Sequence, residues 1–311
     1  MTRALLITNP AAARTDARAV TAIRETLRGG GWAVEVLATA GPGDARRFAG
    51  EAAAQGFDVV LAYGGDGTAM QVAAGLAGTG IPLGLVPGGT GNILAGNLRL
   101  ARHPARAART VLSGVRYPLD LGIVHRADGD HYYAVCAGAG VDAEVMAATG
   151  PELKRLLKTG AYVLRGLAAL PGVRNARHRI EVDGVAHEVD AAMVLIVNCG
   201  ELLPPIVNLG PSVRPNDGWL DVVALRADGV AGSFAALWEM VRGVARATPG
   251  GRLWAARGRR VKVDVIGGPA RPVQLDGEVA GVTPFEVRIL PHALTVLVDP
   301  ATVPGGVSAH D

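Results

Sequence analysis

Hydrophobic and polar positions fall into two textures along the 311 residues of the chain. In the first, short unbroken apolar runs are each followed by a helical spacing. Ala4–Thr8 reads as a buried strand ended by Asn9-Pro10, and Val20, Ile23 and Leu27 then recur as one helix face until Gly29-Gly30-Gly31. Trp32–Leu37 predicts a second strand closed by Thr39, and Gly43-Asp44-Ala45 opens a helix through Ala54. Val59–Tyr63 and Ile81–Val86 are further short apolar runs, each ending in a glycine turn ahead of a helical pattern. Such alternation predicts an α/β domain with a mainly parallel sheet over residues 1–118.

From Arg116 the texture changes to short strands separated by turn signals. Tyr132–Cys136, His178–Val182, Met193–Asn198, Leu220–Leu225, Val261–Val265 and Leu294–Val298 predict strands. Turns are expected at Asp128-Gly129, Asp183-Gly184, Asp217-Gly218, Asp228-Gly229 and Gly267-Gly268. The expectation is a β-sandwich-like second domain over 119–298, with the C-terminal segment 299–311 an option for rejoining the first. Two helical patterns interrupt it. Leu153–Leu170 carries Lys154, Arg155, Lys158 and Arg165, and Phe234–Ala247 has Phe234, Leu237, Trp238, Val241 and Val244 on one face. Either suits a membrane surface, although a stripe of this kind more often faces a core.

The chemistry concentrates in the two glycine turns. Gly64-Gly65-Asp66-Gly67-Thr68 lies between a strand and a helix, where backbone N–H groups approach a ligand closely and the helix N-terminus favours phosphate. Asp66 is unusual there, because a carboxylate repels phosphate unless a cation such as magnesium intervenes. Alone, the turn reads more readily as an ordinary tight turn with a capping Asp. A second unit, Pro87-Gly88-Gly89-Thr90-Gly91-Asn92, follows the next strand. Two consecutive strand–glycine–helix units place both turns at the carboxyl edge of a parallel sheet, where open α/β sheets bind ligands. No P-loop signature exists, and the three lysines, Lys154, Lys158 and Lys262, are far from both turns. Backbone amides, metal and arginine must therefore neutralise any phosphate, with Arg14 a contributor or simply a solvated charge.

Gly64–Thr68 followed by Gly89-Thr90-Gly91-Asn92 resembles the catalytic domain shared by diacylglycerol kinases, sphingosine kinases and bacterial lipid kinases; the first motif alone is shared with NAD kinases. Further matches follow in family order: Asp120 in Leu119-Asp120-Leu121-Gly122, Asp217-Gly218-Trp219-Leu220-Asp221, and Gln274-Leu275-Asp276-Gly277-Glu278. The resemblance implies an NAD kinase/diacylglycerol kinase-like fold with the active site in the cleft between the domains. It implies ATP as phosphoryl donor, held by the amides of Gly64, Gly65, Asp66, Gly67, Thr68, Gly89, Thr90, Gly91 and Asn92, with Asn9 and Thr39 facing the nucleotide. It implies Mg2+ oriented by Asp66, Asp120 and Glu278, directly or through water, and Asp276 as general base with Asp66 and Glu278 as its catalytic partners. A structural metal is implied at Asp217 and Asp221. Each acid has a plainer origin: Asp217 and Asp276 both precede glycine and suit turns, and Asp221 suits a strand cap. Asp276 and Glu278, two apart on an extended segment, would face the same side. One departure stands out: diacylglycerol kinases often carry Asn-Asp-Phe-Ala-Arg after the second turn, where this chain has Asn92-Ile93-Leu94-Ala95-Gly96. That weakens diacylglycerol as the specific substrate.

Composition narrows the rest. An apolar content of 49% with 19% charged residues suits a globular protein, and 4% aromatics is too sparse for base-stacking platforms. The net charge of +3 and isoelectric point near 9.1 fit an anionic surface or phosphorylated ligand better than nucleic acid. Cys136 and Cys199 sit in apolar runs and read as buried thiols of a reducing compartment. No apolar run is long enough to span a bilayer. These features predict a cytoplasmic protein with peripheral membrane contact and no nucleic acid, and the resemblance implies a lipid kinase with a lipid substrate and room for a homodimer. The rivals are an NAD kinase, a nucleotide- or lipid-binding regulator without turnover, and, more remotely, a dinucleotide oxidoreductase using Gly138-Ala139-Gly140.

Overall fold

The computed structural model of the chain describes residues 1–140, 174–203, 207–209, 213–227, 232, 235 and 251–302. The amphipathic pattern at 153–170, that at 234–247 apart from Ala235, and the Asp228-Gly229 turn lie outside the described residues. Two units divide the chain, one from Met1 to Leu119 with the return from His292, the other from Asp120 to Pro291.

In the first unit, strands β1 (Arg3–Thr8), β2 (Ala33–Ala38), β3 (Val59–Gly64) and β4 (Leu83–Pro87) alternate with helices α1 (Ala17–Gly29), α2 (Asp44–Glu51) and α3 (Asp66–Leu76). Helices α4 (Ile93–Asn97) and α5 (Pro104–Ser113) follow. The strands run parallel in the order β2-β1-β3-β4. β3 and β4 are buried along their whole length, as a parallel sheet covered on both faces requires. Helix α1 starts where the Asp16 carboxylate accepts the Ala19 N–H at 2.6 Å, buries Ile23 and Leu27, and stops before Gly31, whose φ of +83° is left-handed. Helix α2 ends at Glu51 rather than at the expected Ala54, because the chain tightens there into a turn closed by the left-handed Gly56. After β2 the chain crosses back over β1 to form β3, so the strand order reverses between β1 and β3. The loops leaving those two strands part at that point and open a crevice at their carboxyl ends.

The second unit is almost entirely β. Its strands are β5 (Val115–Arg126, begun in the first unit), β6 (Gly129–Tyr133), β7 (Cys136–Gly140), β8 (Ala176–Val182), β9 (Val185–Ala191) and β10 (Met193–Val197). They continue through β11 (Glu201–Leu203), β12 (Val207–Asn208), β13 (Leu220–Leu225), β14 (Leu253–Gly258), β15 (Arg260–Val265), β16 (Pro272–Leu275), β17 (Glu278–Val282) and β18 (Phe285–Val298). One antiparallel sheet runs β14-β13-β10-β7-β16-β17. A second layer contains β9, β8, β15 and the start of β18, with the β5–β6 hairpin. Val194 and Ile196 of β10 meet Ile180, Val261 and Val287 in the core between the layers. The alternate residues of β10, Met193, Leu195 and Val197, pack on the other side with Val223 and Leu225. This is the expected β-sandwich-like arrangement. The last residues of β18 return to the first unit, where Val296 lies opposite Leu83 of β4, in parallel.

The expected strand Tyr132–Cys136 is in fact two, β6 and β7, broken at Ala134-Val135, whose N–H groups turn toward a carboxylate described below. Strand β9 had no apolar signature, since its sequence VAHEVDA leaves alternate residues in solvent. Asp183-Gly184 joins β8 to β9 as a two-residue turn with φ of +49° and +88°, the left-handed pair that the expected Asp-Gly hairpin needs.

His178 is a buried histidine on β8. Its Nδ1 lies 2.8 Å from the Ala176 carbonyl and must donate, while Nε2 is buried without a partner among the described residues. Burial pushes its pKa below the ordinary 6.5, aided by the Arg271 charge and opposed by the Ala176 and Val189 carbonyls and by Asp190. A histidine held neutral in the fold costs no stability above 6.5, but stability falls as pH drops below that value, where the unfolded chain alone takes the proton. The urea midpoint of the wild type is therefore expected to fall between pH 7.5 and pH 5, and His178→Leu to flatten that fall; an unchanged pH slope in the variant would contradict it.

Candidate functional site

The first unit supplies a crevice at the β1/β3 switch point. A cavity of about 270 Å³ there is lined by Asn9, Ala12 and Ala13 after β1, by Gly65–Thr68 after β3, and by Gly89–Gly91 after β4. Helix α3 begins at Asp66 with Gly65 as its N-cap, so the first-turn N–H groups, which no helix can satisfy internally, belong to this cavity wall. Its side chains are small: apart from Asn9 and Asp66 nothing exceeds threonine. Thr39 follows β2, its N–H donating to the Thr8 carbonyl at 2.9 Å, and it is not among the lining residues.

The two glycine turns are built against each other. A Cβ on Gly89 would lie 2.5 Å from the Gly65 Cα, and one on Gly91 would lie 2.7 Å from an Asp66 carboxylate oxygen. Neither glycine has a left-handed backbone; Gly89 is required by close approach of one main chain to the other, and Gly91 by the Asp66 carboxylate lying over it. The Gly88 N–H donates to the Gly64 carbonyl at 2.7 Å, and the Arg14 N–H to the Gly88 carbonyl at 2.9 Å, drawing all three loops together. The Tyr63 hydroxyl donates to the Arg14 carbonyl at 2.8 Å, and Asn9 Nδ2 donates to Thr68 Oγ1 at 3.0 Å.

Asp66 finds its partners in the second turn. Its carboxylate accepts the Asn92 N–H at 2.7 Å and the Ile93 N–H at 2.6 Å, closing the N-terminus of α4. Burial raises its pKa above the ordinary carboxylate value, opposed by the N–H bonds from Ile93, Asn92 and Leu94. The negative charge expected to repel phosphate is thus turned onto backbone donors. Asn92 has a left-handed φ of +51°, and its side chain folds back, Oδ1 accepting the Gly89 N–H at 2.9 Å and Nδ2 donating to the Gly89 carbonyl at 2.8 Å. Asn92 thus shapes the loop through its side chain. Thr90 and Gly91 form the exposed tip.

The remaining acids belong to the second unit. Asp276 and Gly277 are the two turn residues of the β16–β17 hairpin, with φ of +46° and +88°, and Leu275 pairs with Glu278. The expectation that Asp276 and Glu278 share one side of an extended segment is therefore corrected: the chain reverses between them, and Glu278 is exposed. The Asp276 carboxylate accepts three successive N–H groups, Ala134 at 2.7 Å, Val135 at 2.9 Å and Cys136 at 2.8 Å. Fully buried Asp120 accepts the Gly218 N–H at 2.6 Å through Oδ2. Asp217 accepts the Trp219 N–H at 3.1 Å through Oδ1 and the Arg257 guanidinium through Oδ2. Asp221 stands opposite Arg257 on the neighbouring strand, with Arg257 Nε 3.7 Å from its Oδ2. Burial pushes the Asp221 pKa up to about 6, Arg257 opposing and Asp217 adding to the rise.

Among the described residues no group of three or more His, Cys, Asp or Glu side chains could hold a metal. For Mg2+ at a phosphoryl-transfer site this is the usual donor set, since such a cation keeps waters and is bound through one or two carboxylates together with substrate phosphates. Asp66, on the cavity wall, fits that role. A structural metal at Asp217 and Asp221 does not fit, because a guanidinium already bridges them.

Sequence reasoning missed Arg257 and the N–H trio of Ala134–Cys136. The first is visible only through the β13–β14 register and the second only through the β6–β7 break. Neither leaves a local motif.

A model of the diacylglycerol kinase catalytic domain matches residues 3–124, and one described as a YegS C-terminal NAD kinase beta sandwich-like domain matches residues 135–298. The chain is similar to the diacylglycerol kinase of Bacillus subtilis, with 32% identity over 96% of this chain and 97% of that protein. It is similar to a "Probable lipid kinase YegS-like" of Pseudomonas putida, with 31% identity over 86% of each. A crystal structure of a diacylglycerol kinase from Bacillus anthracis has the same fold, with a TM-score of 0.74 at 22% identity over 97% of this chain and 98% of that one.

Asp276→Asn tests how firmly the hairpin tip is held. An amide nitrogen would face N–H donors, so stability is expected to fall by about 1–3 kcal/mol, read from the urea midpoint. An unchanged midpoint would mean that these bonds do not hold the turn.

Proposed function

The chain belongs to the diacylglycerol kinase catalytic-domain family, and from that premise we propose that it is an ATP- and Mg2+-dependent lipid kinase. It transfers the γ-phosphoryl group to a hydroxyl of a diacylglycerol- or sphingoid-like lipid. The observation that carries this reading is the pair of glycine turns in main-chain contact at the β1/β3 crevice, with Gly65 against Gly89 and small side chains around them. That wall offers first-turn N–H groups of α3 to an anion and no bulky side chain to exclude a triphosphate.

In the proposed reaction, the amides of Gly65–Thr68 and of the Thr90–Gly91 tip seat the phosphates, while those of Gly89 and Asn92 are spoken for within the loop and hold its shape. Asn9 bonds Thr68 and holds the first turn to the β1 loop; Thr39 reaches the nucleotide outside the cavity. When bound, Mg2+ neutralises charge on the transferring oxygens. Asp66, on the crevice wall, would hold the ion through its water shell, a role that the family resemblance extends to Asp120 and Glu278. The Asp276 carboxylate, fixed by three N–H groups, takes the proton from the attacking lipid hydroxyl, general-base work worth about 10²–10⁴-fold. With Ile93 in place of an acid, the acceptor class stays at a lipid hydroxyl. Lipid access calls for peripheral contact with a membrane surface from the cytoplasm. Among the described residues no helix is long and apolar enough to cross a membrane.

Incubation with γ-labelled ATP, Mg2+ and mixed micelles carrying a panel of diacylglycerols and sphingoid bases should label one lipid class, and a chelator should abolish the labelling. ATP binding with no transfer to any lipid would leave a regulator instead. Gly89→Ala, which drives a Cβ into the Gly65 backbone, is expected to reduce transfer by about 10²-fold or more while urea unfolding remains cooperative.

A further inference from the structure

We propose that Arg257 is the built-in cation of the Asp217–Asp221 turn, occupying the space between the two carboxylates that a divalent metal would otherwise fill. The inference concerns this corner of the second unit alone and holds whichever substrate the chain phosphorylates.

Strand register brings the group there. Asp221 on β13 and Arg257 on β14 are directly opposed partners, and such cross-strand charge pairs are within reach of each other by geometry. The guanidinium Nη2 contacts Asp217 Oδ2, and Nε lies 3.7 Å from Asp221 Oδ2. The other Asp217 oxygen accepts the Trp219 N–H at 3.1 Å, so both oxygens of that carboxylate are engaged. A magnesium ion would need oxygens at about 2.0–2.1 Å in near-octahedral order, which the guanidinium's position precludes. The carboxylates are the more sheltered partners, with side chains 23% exposed for Asp217 and 21% for Asp221 against 40% for Arg257, so salt screens the bridge in part. Arginine suits the task, being planar, permanently charged and able to meet two carboxylates at once.

The indole of Trp219 is part of the same corner. The Arg257 guanidinium carbon lies 5.9 Å from its ring centroid and that of Arg259 lies 4.7 Å away. Trp219, one of the four tryptophans of the chain, therefore contributes an emission component sensitive to the bridge, isolated by comparison with Trp219→Phe. The backbone links the corner inward as well: the Gly218 N–H, between Asp217 and Trp219, is the donor held by buried Asp120. Arg257 is in this sense a positioning residue for the turn.

The experiment measures thermal unfolding and tryptophan emission without nucleotide, in buffer containing a chelator and then with millimolar MgCl2 or CaCl2. Wild type is expected to show no cation-dependent rise in Tm, or only a rise equally present in Asp217→Asn. Arg257→Ala should melt roughly 3–6 °C lower in chelator, with shifted emission, and recover part of that loss on adding either cation. Recovery should vanish in the triple variant Asp217→Asn/Asp221→Asn/Arg257→Ala. Arg257→Lys, which keeps the charge without the planar fork, should lie between. A cation-dependent rise in wild type that disappears in Asp217→Asn would overturn the proposal, as would an Arg257→Ala protein that neither loses stability nor responds to cations. Should Arg257→Ala fail to fold, the same cation titration on wild type against Asp217→Asn decides it.

Discussion

The first unit depends on one contact, the main chain of one glycine turn lying against the main chain of another. Gly65 and Gly89 approach so closely that no side chain fits on Gly89, and the Asp66 carboxylate fastens the join by taking the first N–H groups of α4. A carboxylate in a phosphate seat is electrostatically unfavourable when considered by itself. Taking up N–H groups at the start of α4 offsets part of that charge, while the carboxylate stays on the cavity wall, where a cation could meet it. Burial raises its pKa and the backbone donors oppose the rise, and the geometry of the join fixes the direction in which the carboxylate points.

The second unit uses carboxylates in the same way. Asp276 gathers three consecutive N–H groups, Asp120 holds the Gly218 N–H, and Asp183 accepts the N–H groups of Arg259 and Arg260 where β14 gives way to β15. Acids that terminate strands and clamp neighbouring turns are what a sandwich with many reversals needs, since every break in a ladder exposes main-chain donors that must be paired. Several acids expected to serve the reaction therefore have a second, structural occupation. Substituting one of them alters loop order and chemistry together, which makes stability a necessary companion to any activity measurement.

Much of the architecture was legible from local pattern. The fully apolar runs at Val59–Tyr63 and Ile81–Val86 are the interior strands of a parallel sheet, and their glycine turns identify the crevice. The α/β and β-rich halves differ in period and turn chemistry, so the change of texture near Arg116 is plain. What escaped the sequence depends on register. Strand β9 has too little apolar content to announce itself, and the β6–β7 break is imposed by a carboxylate more than a hundred residues away. The link between Asp221 and Arg257 exists only once β13 and β14 have paired. Asp276 shows the limit most clearly: the Asp-Gly pair carried both a turn reading and an extended one, and the left-handed backbone decides for the turn.

That backbone has a bearing on how the position can vary. Left-handed φ is tolerated cheaply by glycine, asparagine and aspartate and by few other residues. The hairpin tip consequently admits a short menu, of which aspartate alone has a carboxylate. Reach is set as well: a one-methylene arm on a two-residue bend places the acid by strand pairing instead of by rotamer choice. Lengthening the bend or slipping β17 by one residue would turn the strand's alternate faces over. The location of this acid is thus a property of the ladder's count, and its neighbours in β16 and β17 are constrained along with it.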